Sequence, residues 1–265
     1  MAAASFDSAS IPPEMLIFFR DIKEHPDDDT PRLIFADWLQ EHGDAAAAAR
    51  GEFLRLQVLR HRLSPDDPSY GLLKRREGEL FAEHCWTWLG PLRDAARKWT
   101  FERGMLQIMA QAKGVLSPDV AALAQSKTGL WIDALTLTDI TRPQVSQLVR
   151  SPLLAHLTTL DLSDNQLKAA CRLFFRGPLL PYLRTLILPG NGLTGDHIAA
   201  LTQRRHFRRL QILDLSDNWL NDTAARVLAE SPHLKDITML RLGHNRFTAA
   251  GVAIVSQMFG DRVSL

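Results

Sequence analysis

The sequence predicts an α/β protein, with a small all-α domain over residues 1–100 and repeated strand–turn–helix units over residues 101–265. Two observations predict this class. In the second half, one leucine pattern returns with a nearly constant period, and each copy alternates apolar and polar positions before an apolar helical stretch. In the first half, apolar residues recur at helical spacing between breaks that contain proline or glycine.

The repeated unit reads Leu-x-x-Leu-x-Leu-x-x-Asn-x-Leu. Three copies match it closely, a fourth carries substitutions, and their asparagines lie 26, 27 and 27 residues apart. This pattern at this period is the signature of a leucine-rich repeat, and a period of this length that includes a helix resembles the ribonuclease-inhibitor-like subclass. The copies begin at Leu157, Leu183, Leu210 and Ile237, and their asparagines are Asn165, Asn191, Asn218 and Asn245.

Each copy is expected to form a short strand, a turn and a helix. Leu160 and Leu162 point to one side of the strand and Asp161 to the other, because side chains alternate along a strand. The asparagine amide bonds main-chain groups in the turn, so the four asparagines are predicted to form a ladder. Stacked copies give a leucine-rich-repeat solenoid with a parallel sheet inside and helices outside.

Upstream of Leu157 the pattern weakens but continues. Ile132 begins a fifth copy with Ile140 at the asparagine position, and Met105 begins a sixth with Lys113 there. Loss of the asparagine at one end is typical of capping repeats. At the other end no cap is evident, so Asp261 and Arg262 are expected to keep that end solvated, or a partner to cover it.

Residues 1–100 are predicted to contain four helices. Pro13 opens the first, Thr30 caps the second with a proline after it, Asp44 caps the third, and Pro91 marks the end of the fourth. Each helix has apolar residues on one face, as expected for a small helical core.

One segment of this domain is more specific than helix propensity requires. It reads His-Pro-Asp-Asp-Asp-Thr-Pro-Arg-Leu-Ile-Phe-Ala-Asp-Trp-Leu over residues 25–39, followed by Arg-Gly-Glu-Phe-Leu-Arg-Leu-Gln over residues 50–57. It resembles the bacterial repeat-companion domain, which precedes leucine-rich or other repeats. The resemblance implies this domain order and a bacterial protein that is not secreted. It implies no activity, so no functional residue is carried over from it.

Composition is that of a soluble globular protein, with 46% apolar and 23% charged residues. Residues 1–100 carry 13 basic and 17 acidic groups, a net charge of −4, while residues 101–265 carry 18 and 13, a net charge of +5. No apolar run is long enough to span a membrane, and the amino terminus has no basic region before an apolar one. With Cys85 and Cys171 as its two cysteines, the chain is expected to be cytoplasmic.

The sequence offers no pattern typical of an enzyme, a metal site or a cofactor site. The acidic run at residues 27–29 is interpreted as a helix-capping loop, since the spacing of a calcium loop is absent. The basic run at residues 204–209 is interpreted as a solvated loop anchored by Phe207, so nucleic acid is not a favoured partner. Catalysis and small-molecule substrates are therefore not expected.

The side chains opposite the buried leucines are the predicted binding surface. They include several aspartates and an apolar group of Ile187, Ile212 and Met239, which suits a protein or peptide with basic side chains. The same aspartates are also common in such repeats as solubilising and turn-forming residues. The candidate partner-binding residues are Thr159, Asp161, Asp164, Thr185, Ile187, Ile212, Asp214, Asp217, Met239, Arg241 and His244.

The sequence thus predicts a non-catalytic interaction module or scaffold. The alternative is a regulatory or inhibitory subunit that covers an enzyme as ribonuclease-inhibitor-like repeats do. Six strands of four exposed positions make a floor of roughly 380 Å², less than the ~800 Å² that each partner contributes to a standard interface. A stable partner is therefore expected to contact the rim, near Trp219, or the helical domain as well.

Overall fold

The computed structural model describes residues 11–117, 126–177, 180–203 and 207–265. A helical region comes first, and apolar side chains of its four long helices are buried. Asp44 accepts a hydrogen bond from the Ala47 N–H and caps the third helix, as predicted. The helices are α1 (Pro13–Glu24), α2 (Thr30–His42), α3 (Ala45–His61), α4 (Tyr70–Leu89) and the short α5 (Leu92–Ala95).

An eight-stranded sheet follows, with its strands in the order of the chain. The first pair is antiparallel and the remaining pairs are parallel. The strands are β1 (Ala96–Glu102), β2 (Met105–Gln111), β3 (Ile132–Thr138), β4 (Thr159–Asp161), β5 (Thr185–Ile187), β6 (Ile212–Asp214), β7 (Met239–Arg241) and β8 (Val263–Ser264).

Helical segments connect the strands and cover one face of the sheet. The central leucine of each repeat strand, such as Leu160 in β4 and Leu186 in β5, is buried on that face. The segments are α6 (Ala112–Val115), α7 (Lys127–Leu130), α8 (Arg142–Leu148), α9 (Cys171–Phe175), α10 (Gly195–Thr202), α11 (Asp222–Ala229) and α12 (Ala249–Phe259), with 3₁₀ turns at Pro152–His156, Lys168–Ala170 and Gly260–Arg262.

The asparagine ladder predicted from the period is confirmed. Asn218 Nδ2 donates to the carbonyls of Leu188, Leu215 and Ser216 at 3.0, 3.1 and 2.9 Å, while its Oδ1 accepts the Leu193 N–H at 2.9 Å. Asn165, Asn191 and Asn245 make the same kind of bonds to their own turn and to the preceding repeat. The ladder therefore joins each unit to its neighbour through main-chain groups that the turn would leave unpaired.

The sheet begins earlier than the sequence patterning indicates, because β1 starts at Ala96, inside the segment predicted as helical. β1 and β2 form a hairpin whose turn contains Gly104, at φ +81°. Gln57 of α3 accepts the Gly104 N–H at 2.8 Å and donates to the Phe101 carbonyl at 3.1 Å. A helix of the first region thus satisfies the turn that starts the sheet.

The carboxyl-terminal end of the described sheet differs from the expectation of an uncapped last helix. Val263 and Ser264 pair in parallel with Leu240 and Arg241 as β8. Arg262 Nη1 donates to the carbonyls of Lys235 and Ile237, both at 3.0 Å. Its guanidinium therefore satisfies carbonyls of the preceding loop instead of simply remaining in water.

The helical region and the sheet share one hydrophobic core. Trp131, just before β3, packs against Phe19 of α1 and Phe35 of α2, with ring centroids 4.9 and 5.3 Å apart. Polar contacts add to this: Arg103 of the hairpin turn bonds Asp29, and Arg184 Nη2 donates to the Glu24 carbonyl at 2.6 Å. The helices therefore cover the amino-terminal end of the sheet.

One prediction about a helix cap is corrected by the structure, and one about the basic loop is tested only in part. Asp29, not Thr30, occupies the position before α2, and Thr30 already lies within the helix. Phe207 is buried, as predicted for the anchor of the basic loop, while residues 204–206 lie outside the described part of the chain. Within the described ranges, no helix is long and apolar enough to cross a membrane.

Candidate functional site

The face of the sheet opposite the helices carries eight of the eleven predicted binding residues in two rows. Parallel pairing in register places equivalent side chains of successive strands side by side. The first row contains Thr159, Thr185, Ile212 and Met239, and the second contains Asp161, Ile187, Asp214 and Arg241. We call this surface the open face.

The apolar part of the open face lies on β5, β6 and β7. Ile212 and Met239 are register partners on adjacent strands, and Ile187 lies one strand further back in the second row. Ile187 and Ile212 are half-buried, whereas 38% of Met239 is exposed. The structure therefore brings the three predicted apolar residues into one neighbourhood.

The strand aspartates are engaged with their own turns. Asp161 Oδ1 accepts the Ser163 N–H and hydroxyl at 2.9 and 2.6 Å, and Asp214 bonds Ser216 in the same way at 3.0 and 2.6 Å. Asp214 is buried and its second oxygen lies 3.4 Å from Arg241. These carboxylates therefore close the turns after β4 and β6. The sequence pattern alone does not distinguish this turn-forming role from partner binding.

The three remaining predicted residues occupy one strained backbone position. Asp164, Asp217 and His244 have φ values of 57°, 52° and 56°, and the other two repeats place Asp139 and Gly190 there, at 58° and 67°. Aspartate, histidine and glycine adopt this left-handed region more readily than most residues. The backbone thus accounts for the residue type, while the side chains of Asp164, Asp217 and His244 remain exposed to solvent.

The rim beside the asparagine turns carries an aromatic–cationic pair. Trp219, 47% exposed, follows Asn218, and the Arg246 guanidinium carbon lies 5.2 Å from its ring centroid. Such a contact contributes roughly 0.5–1 kcal/mol at an exposed site. Arg246 was missed by sequence reasoning, although it follows Asn245 as Trp219 follows Asn218.

The open face also extends over β1, a strand that sequence reasoning did not include. Lys98 pairs with Met109, and Thr100 with Gln107, in the β1–β2 hairpin. Arg97 reaches Asp139 at 3.7 Å. The alternation of polar and aromatic residues from Lys98 to Glu102 is the signal that could have identified this strand.

The acidic run at residues 27–29 has structural partners. Asp28 Oδ1 accepts the Thr30 N–H at 2.8 Å, and Asp29 lies between the guanidiniums of Arg62 and Arg103. Burial favours the neutral form of Asp29, but the two guanidiniums outweigh it and hold its pKa below the ordinary value. Across the described residues, no cluster of three metal-ligating side chains is found.

Both cysteines are buried thiols without a disulfide partner. Burial in α9 raises the pKa of Cys171 to about 12, so this thiol stays protonated at neutral pH. It therefore packs as a small apolar group.

Comparison with protein families supports the repeat interpretation at two places. A leucine-rich repeat model matches residues 154–170 and 208–229, which include β4 and β6. No curated protein gives a significant match to the chain. The two matched segments are the ones in which Asp161 and Asp214 close equivalent turns.

Proposed function

We propose that this protein is a non-catalytic interaction module whose repeats form a leucine-rich-repeat solenoid of the ribonuclease-inhibitor-like type. Its open face, the concave side of such a solenoid, binds a protein or peptide. The observation that carries this proposal is the apolar group of Ile187, Ile212 and Met239 on an otherwise polar, ordered face. Stacked repeats provide extended binding surfaces of this kind.

The proposed partner contributes an apolar side chain with basic neighbours. The apolar side chain packs on Ile212 and Met239, while lysine or arginine residues approach the exposed carboxylates of Asp164 and Asp217. Asp214 is a weaker attractant because it already faces Arg241. Charge complementarity of this sort steers encounter and sets orientation more than it adds affinity.

The size of the face sets the strength of the contact. Eight strands at ~4.8 Å spacing and four positions at ~3.3 Å give a floor of roughly 500 Å², still below the ~800 Å² of a standard interface. A peptide-sized segment therefore suits the floor. A folded partner must also use the rim at Trp219 and Arg246.

The resemblance of residues 25–57 to the repeat-companion domain supports a bacterial, cytoplasmic setting for this module. The contacts of Lys23, Asp29 and Gln57 with the sheet region support a capping role for the helices. The helical region is thus part of the scaffold that holds the open face in shape.

A peptide-display selection on the whole immobilised chain tests the proposal. We expect enriched peptides to combine an apolar residue with lysine or arginine, and to bind the wild type measurably in calorimetry. An Ile212→Thr/Met239→Gln variant should lose the apolar contact, and an Asp164→Asn/Asp217→Asn variant should lose the charge contact while keeping residues that tolerate a left-handed backbone.

A helix-side variant, Asp196→Asn/Arg226→Gln, is the matched control, because both side chains are exposed on α10 and α11. It should bind the selected peptides as the wild type does. Retention of full affinity by both open-face variants, or an absence of any enriched peptide, would show that the open face is not the binding surface.

A further inference from the structure

A cavity of about 290 Å³ lies between the helical region and the segment that leads into β3. Three tryptophans from different parts of the chain line it: Trp38 of α2, Trp88 of α4 and Trp131 before β3. Arg50 of α3 lines it as well. This cavity is separate from the open face and plays no part in the proposed function.

Arg50 is a buried cation whose hydrogen bonding is incomplete. Only 4% of the residue is exposed, and its Nη2 donates to the Gly104 carbonyl at 2.9 Å. Its Nε and Nη1, and Trp88 Nε1, find no hydrogen-bond partner among the described residues. Buried donors of this kind are ordinarily paired, so unpaired ones in neighbouring side chains require an explanation.

Aromatic rings surround the Arg50 guanidinium without supplying an acceptor. Its central carbon lies 4.2, 4.4 and 4.7 Å from the ring centroids of Phe101, Trp131 and Trp88. Ring faces attract a cation but accept no conventional hydrogen bond and carry no net charge. Burial without a carboxylate partner lowers the pKa of Arg50 to about 9. A buried positive charge with unpaired N–H groups is the kind of environment that stabilises a carboxylate anion.

We propose that this cavity binds a small monocarboxylate with a planar, apolar body. The carboxylate pairs with Arg50 and accepts from Trp88 Nε1, and the body lies among the tryptophan rings. A single buried cation matches a single negative charge, and the exposed Asp44 and Lys127, which also line the cavity, carry opposite charges that offset each other. The volume of about 290 Å³ lies just below the range of ligand pockets, roughly 300–1,000 Å³, so it suits a small ligand.

Entry of the carboxylate requires a small movement of a lining ring, because water does not reach the unpaired donor atoms. His42 is exposed and stacks on the half-buried Trp38, with ring centroids 5.6 Å apart. Both side chains line the cavity. This more exposed pair is the entrance to the cavity, and the Trp88 or Trp131 ring, which lies over the Arg50 guanidinium, must then shift slightly for the carboxylate to reach the unpaired donors.

Calorimetry and thermal unfolding of the whole chain test the site with acetate, benzoate and indole-3-acetate. Indole-3-acetamide is the uncharged analogue of indole-3-acetate and serves as its control. We expect one molecule of an aromatic acid to bind and to raise the unfolding temperature. The amide should bind at least about tenfold more weakly, since it lacks the charge that Arg50 requires. A short peptide ending in tryptophan, with a free or amidated carboxyl terminus, distinguishes a peptide end from a free acid as the source.

Trp88→Phe removes the unpaired N–H and keeps a ring, so its unliganded stability should equal or exceed that of the wild type while its affinity for the acid falls. Trp86→Phe is the matched control, because Trp86 lies on the same helix, is 54% exposed and does not line the cavity. Absence of binding by all three acids, equal binding of acid and amide, or unchanged affinity in Trp88→Phe would overturn the proposal. Arg50 would then be a structural cation held by the aromatic rings and the Gly104 carbonyl.

Discussion

Lys23 Nζ lies 3.2 Å from Asp133 Oδ1 and 2.9 Å from the Ile132 carbonyl oxygen, and Lys23 is 1% exposed. This contact joins α1 to β3 across 110 residues of sequence. Burial lowers the pKa of Lys23, and Asp133 opposes that effect by favouring the charged form. The ion pair is thus a buried connection between the helical region and the sheet.

Substitution of Asp133 and substitution of Lys23 should reduce the free energy of unfolding by different amounts. Asp133→Asn leaves a buried charge unpaired and should reduce the free energy of unfolding by about 3–5 kcal/mol. Lys23→Met should cost less, because Asp133 is 22% exposed and keeps the Thr158 hydroxyl at 2.8 Å. Urea unfolding measures both, with Asp196→Asn of the exposed Arg172–Asp196 pair as a control that should change little. Equal losses from the two buried substitutions would contradict this account.

The asparagine ladder predicts that Asn218→Ala strongly reduces the free energy of unfolding. Asn218 is buried, and its removal leaves several main-chain groups of adjacent repeats unpaired. We expect a loss of about 2–4 kcal/mol in the free energy of unfolding. Asn221→Ala removes only the helix-capping bond to the Ala224 N–H, so it should cost about 1 kcal/mol. A comparable loss from both variants in urea unfolding would argue against a special role for the ladder.

Two glycines should respond in opposite directions to alanine. Gly104 has φ +81°, and a Cβ added at this position would clash with the Leu54 side chain. Gly104→Ala should therefore reduce the free energy of unfolding by at least about 2 kcal/mol. Gly78 lies within α4 with open space around it, so Gly78→Ala should stabilise by about 0.5–1 kcal/mol. Thermal unfolding of the two variants beside the wild type measures the difference. A stable Gly104→Ala protein would show that the hairpin turn can relax.

Acid should destabilise the fold through His156. Burial, and then the nearby Lys23 charge, lowers the pKa of His156 from 6.5 to about 4. The unfolded chain therefore binds this proton at higher pH than the folded chain, so stability is retained above pH 6.5 and falls between pH 6.5 and about 4. The resulting loss in the free energy of unfolding is at most about 3 kcal/mol. Solvent contact with the half-buried His156 ring makes the loss smaller than this limit.

His156→Gln is the control for this pH dependence. Its free energy of unfolding should fall less steeply with acid than that of the wild type over the same interval. Parallel pH profiles for the two proteins in urea unfolding would assign the acid sensitivity to other groups.

The repeat half of the chain was accessible to sequence reasoning because its determinants are local and periodic. The bonds of Asn165 and Asn191 follow from their position in the turn, and the burial of Leu160 and Leu186 follows from alternation. The β1–β2 hairpin was missed because Ala96–Glu102 has no leucine pattern. It follows directly on helical segments, with the short α5 between it and α4.

The candidate binding residues were accessible for the same reason, since period-two alternation assigns each side chain to one face. The hydrogen bonds and ion pairs that these residues make in the structure could not be predicted from the sequence. The sequence does not distinguish an aspartate that bonds Ser163 from one free to meet a ligand, nor does it indicate that Arg241 lies beside Asp214. Those contacts depend on side-chain conformation and on the neighbouring strand.

The period, the asparagine turns and the open-face residue types follow from the chain sequence alone, because each depends on groups a few residues apart or one repeat away. Tertiary packing decided the rest. Lys23 and Arg50 would be placed on solvated helix faces by any local rule, yet both are buried where the helices meet the sheet. Burial of a charge depends on which distant segment covers it: Phe101 and Trp131 lie over Arg50, and the Ile132 carbonyl accepts from Lys23.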